Sequence, residues 1–250
     1  MVEVLGLLGV VILLALCLVV ASSGRLRNVV INSNLYKKGF ALHMDIFSKL
    51  HNKAIQKVKQ ELFSSMKPTL QNIKGDILEI GSGTGANFAF FPEGSSVIAI
   101  DPNPHMEKYL KNNADKFPNI TIKKVVTGFA EDMAEIEENS VAVVVCTLTL
   151  CSVQDIPKVL QEIKRVLKPG GCLYYLEHVL DEEGSLRRTF QKYFDGLWKY
   201  LSDGCSCSTE TATFITEAGF SSVSYETFIA RDLNAIAWIM RSHIVGYAVK

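Results

Sequence analysis

The chain has 250 residues, with 26 Lys and Arg against 26 Asp and Glu, a formal net charge of zero. That balance excludes a general nucleic-acid binder, which concentrates a basic excess on one face, and an apolar share of 48% excludes a disordered chain. The cysteines (Cys17, Cys146, Cys151, Cys172, Cys205 and Cys207) are scattered through a length that needs no stapling, so they read as free thiols in a reducing compartment.

Val4 to Val20 form an unbroken apolar run with Glu3 as its only charged neighbour on the amino-terminal side. As a helix it would span roughly 26 Å at ~1.5 Å per residue, slightly less than the ~30 Å hydrocarbon core. A signal peptide cleaved at Ala21-Ser22-Ser23 would start with a basic residue, and none precedes Arg25. A core helix would show a polar face. Residues 1–24 are therefore expected to be a membrane anchor that binds lipid, crossing the bilayer or lying in one leaflet. Arg25, Arg27, Lys37 and Lys38 follow the run, which places the remainder in the cytosol. The sequon Asn119-Ile120-Thr121 would then stay unmodified.

Residues 25–72 read as a basic juxtamembrane segment and cap helix. Leu42, Ile46, Leu50, Ile55, Val58, Leu62 and Phe63 give helical spacing over 42–64, ending near Lys67-Pro68. Residues 73–250 alternate strands and helices. Strands are expected at 76–80, 97–100, 120–126, 141–147, 173–177, 222–228 and 244–249. Helices are expected at 106–117, at 156–167 (halted by Pro169-Gly170-Gly171) and at 209–218, with Gly219 just past the end. The fold class is α/β, a doubly wound, mainly parallel seven-stranded sheet with an antiparallel edge. Leu186, Phe190, Phe194, Leu197, Trp198 and Leu201 recur at helical spacing. They read as an amphipathic core helix or as an apolar wall over an acceptor pocket, reaching a membrane. Cys205-Ser206-Cys207 has no histidine near it in sequence, so no metal site is expected.

The chemistry is concentrated where strand 76–80 runs into Gly81, Gly83 and Gly85, with a helix able to start near Asn87. The G-x-G-x-G spacing differs from the dinucleotide G-x-G-x-x-G, and Glu79 precedes it. A carboxylate there repels a pyrophosphate and attracts a cation. Asp101 ends the next strand, twenty residues after Gly81, where a carboxylate accepts ribose hydroxyls. A phosphate-free, cationic nucleoside such as S-adenosyl-L-methionine fits this pattern.

E-I-G-S-G-T-G, V-I-A-I-D-P-N, V-L-K-P-G-G and E-A-G-F resemble the class I S-adenosylmethionine-dependent methyltransferases of the ubiquinone-biosynthesis-like branch. More narrowly, G-T-G-A-N-F, I-D-P-N-P, V-V-V-C-T-L-T-L-C-S-V, L-E-H-V, D-G-C and G-Y-A-V-K resemble the methyltransferase-like 7 group. Those are microsomal and lipid-droplet thiol S-methyltransferases with an amino-terminal anchor. The resemblance is close from about residue 74 onward. It implies an enzyme that methylates small lipophilic thiols at the cytosolic face of endoplasmic-reticulum and lipid-droplet membranes. A quinone-like acceptor methylated on oxygen or carbon stands as the alternative, and a non-enzymatic membrane protein as another.

Carried over by position, the resemblance sets Gly81, Gly83, Gly85 and Glu79 against the methionine part and Asp101 on the ribose. It puts Phe129 to Asp132 beside the adenine, with Thr147 and Leu148 under the transfer site. Phe129 stands where the class often has Asp, which leaves the adenine amine to Glu131 or to backbone groups; Ala142, leading the fourth strand, is a second such departure and bears on stability more than on chemistry. His178, after Glu177, is a candidate to accept a thiol proton, or else a histidine hydrogen-bonded within its loop. Cys146 and Cys151 read as packing residues.

Overall fold

The computed structural model describes residues 29–233 and 236–250. The expected anchor, residues 1–24, lies outside them, and among the described residues no helix is long and apolar enough to cross a membrane.

Among the described residues, the helices α1 (Asn34–Ala54), α2 (Gln56–Ser64) and α3 (Lys67–Asn72) precede the sheet. The single helix expected over 42–64 is thus corrected. It starts earlier, capped by Ser33, which accepts a 3.2 Å bond from Tyr36 N–H, and it breaks at Ile55. Pro68 opens α3 instead of ending a helix, because a first-turn position needs no N–H partner.

Seven strands follow: β1 (Asp76–Ile80), β2 (Ser96–Asp101), β3 (Thr121–Thr127), β4 (Val141–Thr147), β5 (Leu167–His178), β6 (Ser222–Ile229) and β7 (Ser242–Val249). Between them stand α4 (Met106–Ala114), α5 (Ile156–Val166), α6 (Leu186–Leu201) and α7 (Thr211–Glu217). The sheet order is β3-β2-β1-β4-β5-β7-β6, with β7 antiparallel to both of its neighbours. The mainly parallel, doubly wound sheet is as expected.

Lys168 to Gly171 do not halt α5 in a loop. Val141 pairs with Leu167 and Val143 with Cys172, so these residues bulge out of the β4–β5 ladder. The helix expected near Asn87 is only a 3-10 turn, Phe88–Phe90.

β1 and β4 are buried on both faces, which suits their Val and Ile content. Leu78, Ile80, Val144 and Cys146 face one core with Leu160 and Ile163 of α5. Ile77, Val143 and Val145 face the other with Leu62 and Phe63 of α2. The crevice lies at the carboxyl ends of β1 and β4, where the strand order reverses.

Candidate active site

That crevice is a cavity of about 680 Å³, a size that holds a small molecule. β1 brings Glu79 to it. The side chain is buried, Oε1 accepts from Asn87 Nδ2 at 2.6 Å, and Oε2 has no partner. Asn87 also donates to Thr147 Oγ1 at 2.9 Å and accepts from Lys59 Nζ at 2.7 Å. Lys59, buried as well, donates to Asn52 Oδ1 at 2.6 Å. Asn87 therefore links a carboxylate to an ammonium. Removal from water pushes the Glu79 carboxyl up to about 7 and the Lys59 ammonium down to about 8, and each charge tempers the other's shift.

β2 brings Asp101. Its Oδ2 accepts from Gly83 N–H and its Oδ1 from Asn103 N–H, each at 2.9 Å. These bonds fix the carboxylate beside the glycine loop and leave lone pairs for a ligand's hydroxyls. Burial pushes this carboxyl up to about 6.

The loop glycines divide by duty. Gly81, Gly83 and Gly85 have φ of 59°, 51° and 73°, the left-handed region. A Cβ on Gly81 would strike Thr149, and one on Gly85 would strike the Phe88 ring. A Cβ on Gly83 would meet only Gly81 O, at 3.9 Å, so that position faces open space. Past β4, Leu148 has φ 54°, which costs a leucine about 1 kcal/mol or more. Glu177 Oε1 holds this turn by accepting from Thr149 N–H at 2.9 Å and Leu150 N–H at 3.2 Å.

Glu79, Gly81, Gly83, Asp101, Phe129, Glu131, Thr147 and Leu148 all line this one cavity. Gly85 stands a layer back, against Phe88. His178 is outside the lining, fully buried, with Nε2 3.0 Å from Cys205 Sγ. Its hydrogen-bonded contact is with another loop and not within its own.

Sequence reasoning missed Lys59, His51 and Asp203, which also line the cavity. It also missed the inner stripe of α1, formed by Phe40, Met44, Phe47 and His51. Their four-three-four spacing was available as a signal, but the aliphatic stripe beside it reads more strongly. The structure turns that stripe outward: Leu42, Ile46 and Leu50 are exposed. Burial, followed by the nearby His243, keeps His51 neutral. The apolar wall expected from 186–201 comes instead from α1.

Residues 78–175 match a family model described as a methyltransferase domain. The human thiol S-methyltransferase TMT1B is 40% identical over 86% of this chain and 88% of its own length. Human thiol S-methyltransferase TMT1A is 38% identical over 86% and 87%. A solved S-adenosylmethionine-dependent methyltransferase from Methanosarcina mazei superposes with a TM-score of 0.54 at 21% identity, covering 73% of this chain and 97% of that one.

Proposed function

This chain belongs to the thiol S-methyltransferase family of class I S-adenosylmethionine-dependent methyltransferases, and from that membership we propose that it methylates small lipophilic alkyl thiols. We place the reaction at the cytosolic face of endoplasmic-reticulum and lipid-droplet membranes. One observation carries the choice of acceptor: a buried ammonium, Lys59, beside an apolar wall of Phe40, Met44 and Phe47 in the same cavity as the carboxylates.

The residues present fit the cofactor. Glu79 Oε2 is a buried carboxylate oxygen without a partner, Gly83 leaves space where a Cβ would project, and Asp101 keeps free lone pairs. Glu79 and Gly83 would hold the amino-acid part, Asp101 the ribose, and Phe129 and Glu131 the adenine. When bound, S-adenosylmethionine supplies an electrophilic methyl group on a positively charged sulfur.

The chain's own work lies on the acceptor side. A thiol with a pKa near 8.5 is only partly ionised at neutral pH, and the thiolate is the nucleophile. The Lys59 ammonium, held by Asn52 and Asn87, favours that thiolate electrostatically. His51, kept neutral, does not repel the Lys59 ammonium. Phe40, Met44 and Phe47 of α1 line the same cavity, and low-dielectric walls strengthen the Lys59 interaction.

The aliphatic stripe on the outer side of α1 supports a membrane-facing orientation, as does the exposed face of α6, where Tyr193 is 82% exposed. Both would admit an acceptor already dissolved in lipid. The test is a methyl-transfer assay comparing an alkyl thiol with phenol and catechol, with Asp101→Ala as the inactive control. Turnover confined to the thiol is expected. Preferential turnover of the phenol or catechol would replace sulfur by oxygen, and equal turnover of hydrophilic and lipophilic thiols would remove the membrane-linked preference.

A further inference from the structure

Three segments distant in sequence bring soft donor atoms together under the active site. They are Cys151 in the turn after β4, His178 at the end of β5, and Cys205 in the loop after α6. One ligand atom from each lies within 4.8 Å of the other two, and all three residues are buried. His178 Nε2 stands 3.0 Å from Cys205 Sγ. The C-x-C motif misled the sequence reading because Cys207 takes no part: its Sγ donates to Gln191 O at 3.3 Å. The fold supplies the histidine and the second thiol that the motif lacked.

We propose that Cys151, His178 and Cys205 bind a zinc ion that staples the two loops forming one wall of the active site. Two thiolates and an imidazole are a donor set zinc prefers. Two thiolates also neutralise its double charge, so a buried site carries no net charge. Tetrahedral zinc keeps its ligand atoms about 3.5 Å apart, so His178 and Cys205 must separate by about half an ångström on loading. Cys151 also borders a cleft that Gly204 and Ser206 line on the other side.

The consequence is positional. Leu148, Thr149 and Ser152 on one loop and Asp203 and Gly204 on the other line the cofactor cavity. Between these loops runs a backbone bond, from Ser206 N–H to Cys151 O at 2.8 Å. A metal bridge would fix their spacing far more firmly than that bond. Burial favours an ion over an oxidised thiol pair, because oxidation needs solvent access whereas a structural ion enters as the chain folds.

The test uses the full chain without a polyhistidine tag, expressed in medium supplied with zinc or, separately, cobalt(II). Elemental analysis should find one equivalent of zinc per chain. The cobalt form should show thiolate-to-cobalt charge-transfer absorption and the intense visible bands of a tetrahedral site. Cys151→Ser and Cys205→Ser should each lose the metal, while Cys172→Ser and Cys207→Ser keep it. If the first two fail to fold, the cobalt spectrum of the unaltered chain decides. Background zinc with no charge-transfer band overturns the proposal. So does a mass loss of two hydrogens mapping to a Cys151–Cys205 disulfide.

Discussion

Glu79 and Lys59 face the same cavity through Asn87, and their protonation states set its pH window. Burial raises the Glu79 carboxyl to about 7 from an ordinary carboxylate value. Below that pH a proton must leave before a cationic ligand binds. Affinity for S-adenosylmethionine should therefore fall about tenfold per pH unit below 7 and level off above it. Stability runs the other way: a raised carboxyl stabilises the ligand-free fold below about 4.5, and that contribution is lost as pH rises through 7. Calorimetric titration between pH 5.5 and 8 measures the affinity, and Glu79→Gln should flatten the profile. Lys59 carries the alkaline side. Lys59→Gln should lower kcat/KM for an alkyl thiol by about 10- to 100-fold and abolish the limb that falls above pH about 8 in the unaltered enzyme. A drop in melting temperature with that limb unmoved would leave Lys59 a structural residue only.

The glycine loop shows that one motif holds positions of different kinds. Gly81→Ala forces a Cβ into Thr149 at a left-handed φ and should cost stability, about 2 kcal/mol or more. Gly83→Ala strikes nothing in the protein and should cost less stability but more cofactor affinity, a contrast that paired melting and titration curves would read. α6 is inverted relative to its apolar spacing. Its inward residues include Arg187, which donates to Asp181, Gln191, and Asp195, which accepts from Cys207 N–H; of the apolar stripe only Trp198 joins them, with its indole nitrogen buried. Leu186, Phe190, Phe194, Leu197 and Leu201 face outward. Gln191 is fully buried, accepts from Asp181 N–H at 2.8 Å, and donates to Val179 O at 3.0 Å and Ile239 O at 2.9 Å. Gln191→Ala should cost about 2–4 kcal/mol because those backbone groups stay buried without partners. A melting-temperature fall of several degrees would register it.

At the scale of the whole molecule, the sheet supplies a rigid cofactor face and α1 a cover with an apolar outer stripe, downstream in sequence of the apolar amino-terminal segment. We place that segment in a membrane, so removing residues 1–24 should move the protein from the membrane pellet to the supernatant on sedimentation. A truncated chain that still pellets with vesicles would shift membrane binding to the exposed faces of α1 and α6. A glycan on Asn119 would overturn the cytosolic orientation.

The mainly parallel sheet, the glycine loop and the carboxylates Glu79 and Asp101 at two strand ends were legible in the sequence. Each is a short-range pattern: alternation of elements, glycines at fixed offsets, and a carboxylate at a strand's end. The placement of Lys59 and His51, the inversion of α6, the retreat of His178 and its meeting with Cys151 and Cys205 belong to the tertiary structure. Those contacts join residues that are dozens of positions apart, and no local spacing encodes which face of a helix or which end of a strand another segment will cover. Helical periodicity gave α1 and α6 apolar stripes, but packing against neighbouring helices and loops decided which side of each turned inward.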